Sequence, residues 1–336
     1  TTNKMATTAD AAPGLAFPRD TFAKLTPGPF LLAHLTRPES VRPSGRRPHE
    51  FRTATINTGS LSHSNGSAVV RLGDTAVVCG VRSELLLASD VPHPPDQHAT
   101  SSAIVEHLAL IVPNVELSTG CSPSHLPGNP PTSLAQSLSH RVSSLLNGSN
   151  AIDLADLSIK HTEPQTEHHL PDEEPKIVTK AYWALYLDIL CLALDGNAFD
   201  AAWLAVTAAL QDTILPRAWW DPDREMVLCS PSASESSRLR LSGLCVASTF
   251  AAFSTASPLK QRHAAQSWIL ADPDAFEEDL CDETVTVVLS PASESGRSIV
   301  RIERSGGGVI AKDLMQQCVQ RAENRCQQLE ASLQAR

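Results

Sequence analysis

The chain has 336 residues, 42% hydrophobic and 19% charged, enough for one large or two medium soluble domains with a sizeable core. Its formal net charge of −10 tells against a protein that grips nucleic acid by itself, because phosphate contacts need clustered Lys and Arg. Aromatics make up only 4%, so the core must rest on Ala, Val and Leu, and no apolar run reads as a membrane span or a secretory signal.

Residues 1–18 are polar and rich in Ala, Thr and Pro, the composition of a disordered lead. Thr21–His34 predicts a short helix broken at Pro27-Gly28-Pro29. From Arg37 to Arg52 runs a basic stretch of five Arg, no Lys and two Glu. Sheet-like sequence starts near Phe51, and a turn-rich break at Ser62–Gly66 leads into a hairpin. Its arms, Gly66–Leu72 and Thr75–Arg82, are rich in Val, Ala and Thr and flank a Gly73-Asp74 turn. Ser89–Glu106 reads as a loop, Ala109–Val115 as a strand, and Ser118–Pro131 as another loop. Thr132–Asn147 predicts a helix capped by Thr132 or Ser133 and ended by Asn147-Gly148, with Leu134, Leu138, Val142, Leu145 and Leu146 on one face.

Leu154–Ile159 reads as a short strand, and the acidic, Pro-punctuated stretch His161–Pro175 as a loop. Lys180–Leu194 predicts a long buried strand, Asp195-Gly196-Asn197 a turn, and Ala198–Gln211 an Ala-rich helix. Pro216–Arg238 is irregular. Leu239–Ser254, Trp268–Leu270, Val285–Leu289 and Ser298–Arg301 read as strands, with an acidic loop at Asp272–Asp282. After Gly306-Gly307-Gly308 comes an amphipathic helix with Ile310, Leu314, Cys318, Ala322, Cys326, Leu329 and Leu333 on one face. The pattern is α+β: an N-terminal extension (1–37) with a short helix, a first sheet-helix half (38–215) with loops at 89–106 and 161–175, and a second half (216–336) with a terminal amphipathic helix.

The eight Cys lie at 79, 121, 191, 229, 245, 281, 318 and 326 without a CxxC, which suits reduced thiols in the nucleus or cytosol. The twelve His show no HExxH and no ligand spacing, and His168-His169 sit in the acidic stretch, so neither a metal nor a cofactor is expected. No GxSxG, GxGxxG or GxxxxGK[ST] occurs.

The run Arg42-Pro43-Ser44-Gly45-Arg46, followed shortly by another Arg and then by GSAxVxxGxTxVxC over Gly66–Cys79, resembles the opening of the RNase PH family. That family contains phosphate-dependent 3′-to-5′ exoribonucleases and the ring subunits of the RNA exosome. The resemblance covers about residues 38 to 330 and implies the RNase PH-like fold, of the ribosomal protein S5 domain 2-like type, built from two sheet-helix halves.

Phosphorolysis needs an anion pocket, cations for the RNA backbone and an acid for proton transfer or a metal. Active members carry a D-G-G-T-R-T type turn whose Thr and Arg hold phosphate at a helix start, where anions are favoured. Here Asp195-Gly196 matches, but Asn197, Ala198, Phe199 and Asp200 follow, so an apolar ring stands where the Arg is expected and a carboxylate would repel phosphate. Of the two separated Asp of active members, Asp272 fits the first; ungapped alignment puts Thr284 at the second, with Asp282 two residues off. The G-R-T before the mid-chain helix has no counterpart in Pro127-Gly128-Asn129-Pro130-Pro131-Thr132. The acidic residues Asp272, Asp274, Glu277, Glu278 and Asp279 read as a solvated loop rather than a Mg²⁺ site.

The resemblance therefore implies a non-catalytic ring subunit with no catalytic residues. Its expected partners are paralogous RNase PH-like subunits in a hexameric ring, S1/KH cap proteins, a separate hydrolytic 3′-to-5′ exonuclease and single-stranded RNA, in nucleus, nucleolus and cytoplasm and without a membrane. Arg42, Arg46, Arg47 and Arg52, with Arg71 or Arg82, are the candidate RNA contacts, since Arg suits bidentate phosphate binding. The rival readings are an active phosphorolytic exoribonuclease using Asp272 with Asp282 or Glu278, and an interaction module unrelated to RNA.

Overall fold

The computed structural model describes residues 18–95, 99–122, 125, 130–163, 177–243, 245–255, 266–291, 296–307 and 311–334. The expected disordered lead, the Pro127-Gly128-Asn129 segment, most of the acidic stretch at 161–175, and Gly308 and Ile310 lie outside them. The chain forms two compact units, residues 1–48 and 49–336.

In the first unit, α1 (Arg19–Leu25) and α2 (Pro27–Leu35) meet at Thr26, with Pro27 at the first helical position where its missing N–H costs nothing. The break falls at Thr26, and Pro27-Gly28-Pro29, read as the break, forms the first turn of α2 instead. Phe22 and Phe30 meet edge to face at 6.0 Å. The Arg42–Arg46 loop closes on a 2.9 Å bond from Arg42 N–H to the Arg46 carbonyl.

The second unit is built on two main sheets, with two small two-stranded pairings besides. The larger has the order β1-β2-β3-β6-β4, with β5 also pairing β6. Its strands are β1 (Ala54–Thr58), β2 (Gly66–Leu72), β3 (Thr75–Leu87), β4 (Ile111–Leu117), β5 (Ser158–Thr162) and β6 (Ile177–Ala193). The 17-residue β6 pairs antiparallel with β3 on one side; the other side is shared by β5 and, in parallel, β4. Helix α3 (Ser101–His107) lies in the stretch read as a loop: the Thr100 hydroxyl caps it at Ala103 N and Val105 is buried. Helix α4 (Ser133–Ser149) is capped by Thr132, as expected, but runs on through Gly148. It ends at Asn150, whose left-handed backbone (φ 49°) does the terminating. At 154–157 the expected strand is a helical turn, α5 (Leu154–Leu157), because the Asp153 carboxylate caps Ala155 N–H. Pairing begins only at Ser158.

Helix α6 (Ala198–Asp212) packs on β2 and β3. Every residue from Ala198 to Leu210 is buried, the mark of a helix with sheet or helix on all sides. Beyond it, β7 (Ile214–Leu215) is followed by the hairpin β8 (Ala218–Asp221) and β9 (Met226–Cys229) and by β10 (Ser237–Arg238), which pairs β7, so the segment read as irregular carries short pairings. The second sheet has the order β12-β11-β13-β14: β11 (Val246–Ser254), β12 (Ser267–Ala271), β13 (Glu283–Leu289) and β14 (Ile299–Gly306). α6 also packs on β11, and α8 (Lys312–Gln334) covers β13 with buried Cys318, Ala322, Cys326 and Leu329, the face its spacing indicates. The acidic loop contains a turn of helix, α7 (Ala275–Glu278), nucleated by a capping box between Asp274 and Glu277. The fold is α+β with two sheet-helix halves.

The packing of α6 on the first sheet depends on Gly66. A Cβ there would lie 2.6 Å from both the Ala209 carbonyl oxygen and Thr213 Cα, backbone that cannot step aside. Gly66→Ala is expected to cost about 1–3 kcal/mol by overpacking. The check is the urea midpoint of the full chain, which should fall; an unchanged midpoint would contradict this packing.

Candidate functional site

The site lies where the N-terminus of α6 meets the end of β12. The turn Asp195-Gly196-Asn197 enters α6 with two successive left-handed residues, Gly196 at φ 69° and Asn197 at φ 52°. Gly196 is obligatory, since a Cβ would lie 2.5 Å from the Asp274 carbonyl carbon. Thr75, at the start of β3, pins the turn: its hydroxyl donates to the Gly196 carbonyl (2.9 Å) and accepts from Asp195 N–H (3.0 Å).

Asp272 follows β12, is fully buried and has φ 50°. Its backbone N–H donates to Thr249 O at 2.9 Å. One carboxylate oxygen accepts from Arg52 N–H (2.8 Å) and Nε (2.9 Å), and the other from Arg52 Nη2 (2.8 Å) and Asn197 Nδ2 (2.6 Å). Burial raises the Asp272 pKa, but the hydrogen bonds and charge of Arg52 outweigh it, so the carboxyl sits below its ordinary range. Arg52 also donates to the Asp195 carbonyl (2.7 Å), and burial, which would lower its pKa, is outweighed by Asp272.

Asn197 precedes α6 but does not cap it with its side chain. Its amide is drawn instead between Asp272 and Asp200 (2.9 Å). Asp200 is in the first turn, as dipole complementation requires. It is buried, however, and accepts from Thr249 N–H (2.8 Å) and Thr249 Oγ1 (2.7 Å); burial raises its pKa. Thr249 Oγ1 lies 3.0 Å from Thr286 Oγ1. Phe199 packs inward at 4% exposure, with the Arg141 guanidinium of α4 3.8 Å from its ring centre. Arg141 is held there by Glu303 (2.6 Å) and Thr286 Oγ1 (3.0 Å). Glu278 closes the site: it accepts the Asn197 N–H at 2.7 Å, and burial pushes its carboxyl up to about 7.

Asn197, Phe199, Asp200 and Asp272 thus converge. Thr284 does not join them: its hydroxyl donates to the Ser305 carbonyl (3.4 Å), and Thr286, two residues on, is the one level with Thr249 in the β11–β13 register. Asp282 is exposed. Among the described residues no group of His, Cys, Asp and Glu could hold a metal. A cavity of about 20 Å³ beside Asp200, Asp272, Phe51 and Arg325 has room for one water.

The candidate RNA-binding Arg fare differently. Arg52 is a buried structural cation, so its assignment to RNA is corrected: its donors are taken by Asp272 and by carbonyls. Arg42 is 1% exposed, which removes it from an open channel wall. Arg46 is half-buried and Arg47 exposed. Arg71 and Arg82 are exposed at opposite ends of the β2–β3 hairpin, roughly 20 Å apart along the strands, and cannot serve one cluster. Arg82 lies 3.5 Å from Glu84 and over the Tyr186 ring. Sequence reasoning missed Arg141, Thr249, Thr286 and Arg325. The one available signal was Arg141 itself, a cation between the core positions Leu138, Val142 and Leu145 of α4.

Comparison with known proteins decides the family. A model described as the 3′ exoribonuclease family, domain 1 (RNase PH) matches residues 50–216. An exosome complex component rrp43 from Schizosaccharomyces pombe is 35% identical over 311 residues, 93% of this chain and 96% of that protein. The chain belongs to the RNase PH family. An exosome complex component Rrp42 from Methanothermobacter thermautotrophicus is 30% identical over 86% of this chain and 88% of its own length. Among solved structures, a chain of the Archaeoglobus fulgidus exosome with RNA bound to the active site superposes with a TM-score of 0.64 at 27% identity, over 91% of this chain and 96% of that one. The RNase PH-like fold is thereby established across both sheets.

Glu278 gives a pH dependence with a definite sign. Its folded pKa of about 7 exceeds its ordinary 4.5, so between those values the folded chain holds a proton that the unfolded chain releases. Stability from this group is full below about 4.5 and is lost as pH rises through 7. Glu278→Gln keeps the acceptor for Asn197 N–H and cannot ionise. It should therefore gain on wild type by on the order of 1–3 kcal/mol at pH 8 and by much less at pH 5. Urea midpoints at the two pH values check this; an equal difference at both would refute it.

Proposed function

We propose that this chain is a non-catalytic subunit of an RNA exosome core ring. It supports 3′-to-5′ RNA processing and degradation, ribosomal RNA maturation included, by helping to form the ring through which single-stranded RNA is threaded. The observation that carries the reading is the fate of Asp272. The acidic group best placed for chemistry is fully buried and accepts four hydrogen bonds from Arg52 and Asn197, which leaves it unable to take a proton or face a substrate. The anion site at the start of α6 is likewise closed: Glu278 holds the Asn197 N–H, and Asp200 and Phe199 fill the first turn. Relatives matched over nearly their full lengths are named as exosome components, which supports the ring. In this reading paralogous RNase PH-like subunits complete a hexamer, S1/KH proteins cap it, and a separate hydrolytic 3′-to-5′ exonuclease degrades the RNA, in nucleus, nucleolus and cytoplasm.

The full-length tagged chain should co-purify in stoichiometric amounts with proteins bearing RNase PH, S1 and KH signatures. Incubated pure with RNA and inorganic phosphate, it should release no nucleoside diphosphates. Elution without such partners would sink the ring; phosphate-dependent diphosphate release would sink the non-catalytic assignment.

A further inference from the structure

The first unit carries a pocket that the ring reading leaves unassigned. It is an open cleft of about 550 Å³, the size range of small-ligand sites, lined by Arg19, Phe22, Phe30, His34, Arg37 and Arg42 among others. No carboxylate is among its described lining residues. Residues 1–48 hold seven Lys and Arg against three Asp and Glu, a net of +4 on a chain whose total is −10. Arg19 and Arg37 are exposed. Arg19 is oriented by one bond to the Pro43 carbonyl (3.0 Å) and by the Phe30 ring 5.7 Å away, which leaves most of its five donors for a ligand. Phe22, 39% exposed, offers an apolar face at the rim, and His34 is fixed by the Phe30 carbonyl at 2.9 Å.

We infer that this cleft binds one nucleotide of a single-stranded RNA, its phosphate on Arg19 and Arg37 and its base against Phe22, without selecting sequence. Arg19 and Arg37 on the wall of one cleft favour an anion, and planar forks suit a phosphate oxygen pair. An exposed ring beside them adds what a free anion does not use: a stacking face for a base. An acidic peptide would use the cations but has no planar group for Phe22. The inference rests on the reading that this chain handles RNA.

The test is fluorescence anisotropy of the full chain with a labelled oligouridylate of about 12 nucleotides, across a salt series. The double variant Arg19→Gln/Arg37→Gln should weaken binding several-fold and reduce the salt slope by about 0.7, the one phosphate contact it removes. Phe22→Ser should weaken binding about fivefold with the slope unchanged. Lys24→Gln, an exposed α1 cation outside the pocket, should do neither. Equal losses from Lys24→Gln and the Arg pair would mean diffuse charge and overturn the site. So would uridine monophosphate binding as tightly as the strand, or an unchanged RNA affinity in a double variant that has lost an Asp/Glu-rich peptide. Co-purification of the double variant with RNase PH-like subunits separates the two readings. If the ring forms and the Arg pair is silent, this inference alone fails; if no ring forms and the Arg pair still matters, the ring reading fails and this one stands.

Discussion

One buried ion pair organises the larger unit. Arg52 stands before β1 of the first sheet and Asp272 at the end of β12 in the second, 220 residues away, and they share three hydrogen bonds of 2.8–2.9 Å. The same guanidinium reaches the carbonyls of Asp195, Gly196 and Pro273, so it fastens both sheets and the entry of α6 at one point. Such a pair adds little to stability compared with a well-packed apolar substitute, but losing one partner strands a buried charge at about 3–5 kcal/mol. Local backbone conforms to it. Asp272 and Asn197 adopt positive φ, and a Cβ on Gly73 in the β2–β3 turn would lie 2.6 Å from Arg52 Cδ.

The pair also explains how a helix N-terminus built to receive an anion stands closed. The first turn of a helix presents unsatisfied N–H groups and partial positive charge. Here Glu278 meets the Asn197 N–H, and Asp200 occupies the turn itself. Phe199 and Arg141 stack beneath, with Arg141 neutralised by Glu303. The arrangement carries a cost: burial, with the like charges of Asp200 and Asp272, pushes the Glu278 carboxyl up to about 7.

Much of this was legible in the sequence. The hairpin, β6, α6 and α8 follow from periodicity, and Asp195-Gly196 with Phe199 and Asp200 marked the altered turn. What periodicity could not reach were effects set by caps and by long-range geometry. The helical turns α5 and α7 exist because Asp153 and Asp274 satisfy N–H groups locally, a matter of single side chains. Arg52 looked like one more member of a basic run, because nothing near it in sequence announces Asp272. Counting residues along one strand pointed to Thr284, with Asp282 two residues off, whereas the residue level with Thr249 on the neighbouring strand is Thr286, and a two-residue shift keeps the face while moving the contact by about 7 Å.

Charge is the remaining constraint, and it acts by partition. An acidic chain can serve RNA only where cations are free of internal carboxylates. In the 49–336 unit most well-ordered Arg are already committed: Arg52 to Asp272, Arg141 to Glu303, Arg297 to Glu330, Arg304 to Glu283. These pairs hold elements together, and their guanidiniums cannot also carry counterion-releasing phosphate contacts. The N-terminal unit inverts the balance, with seven cations to three anions and a cleft with no carboxylate among its described lining residues. The 49–336 unit thus commits much of its positive charge to holding its own elements together, and the chain's excess of cations over carboxylates lies in residues 1–48.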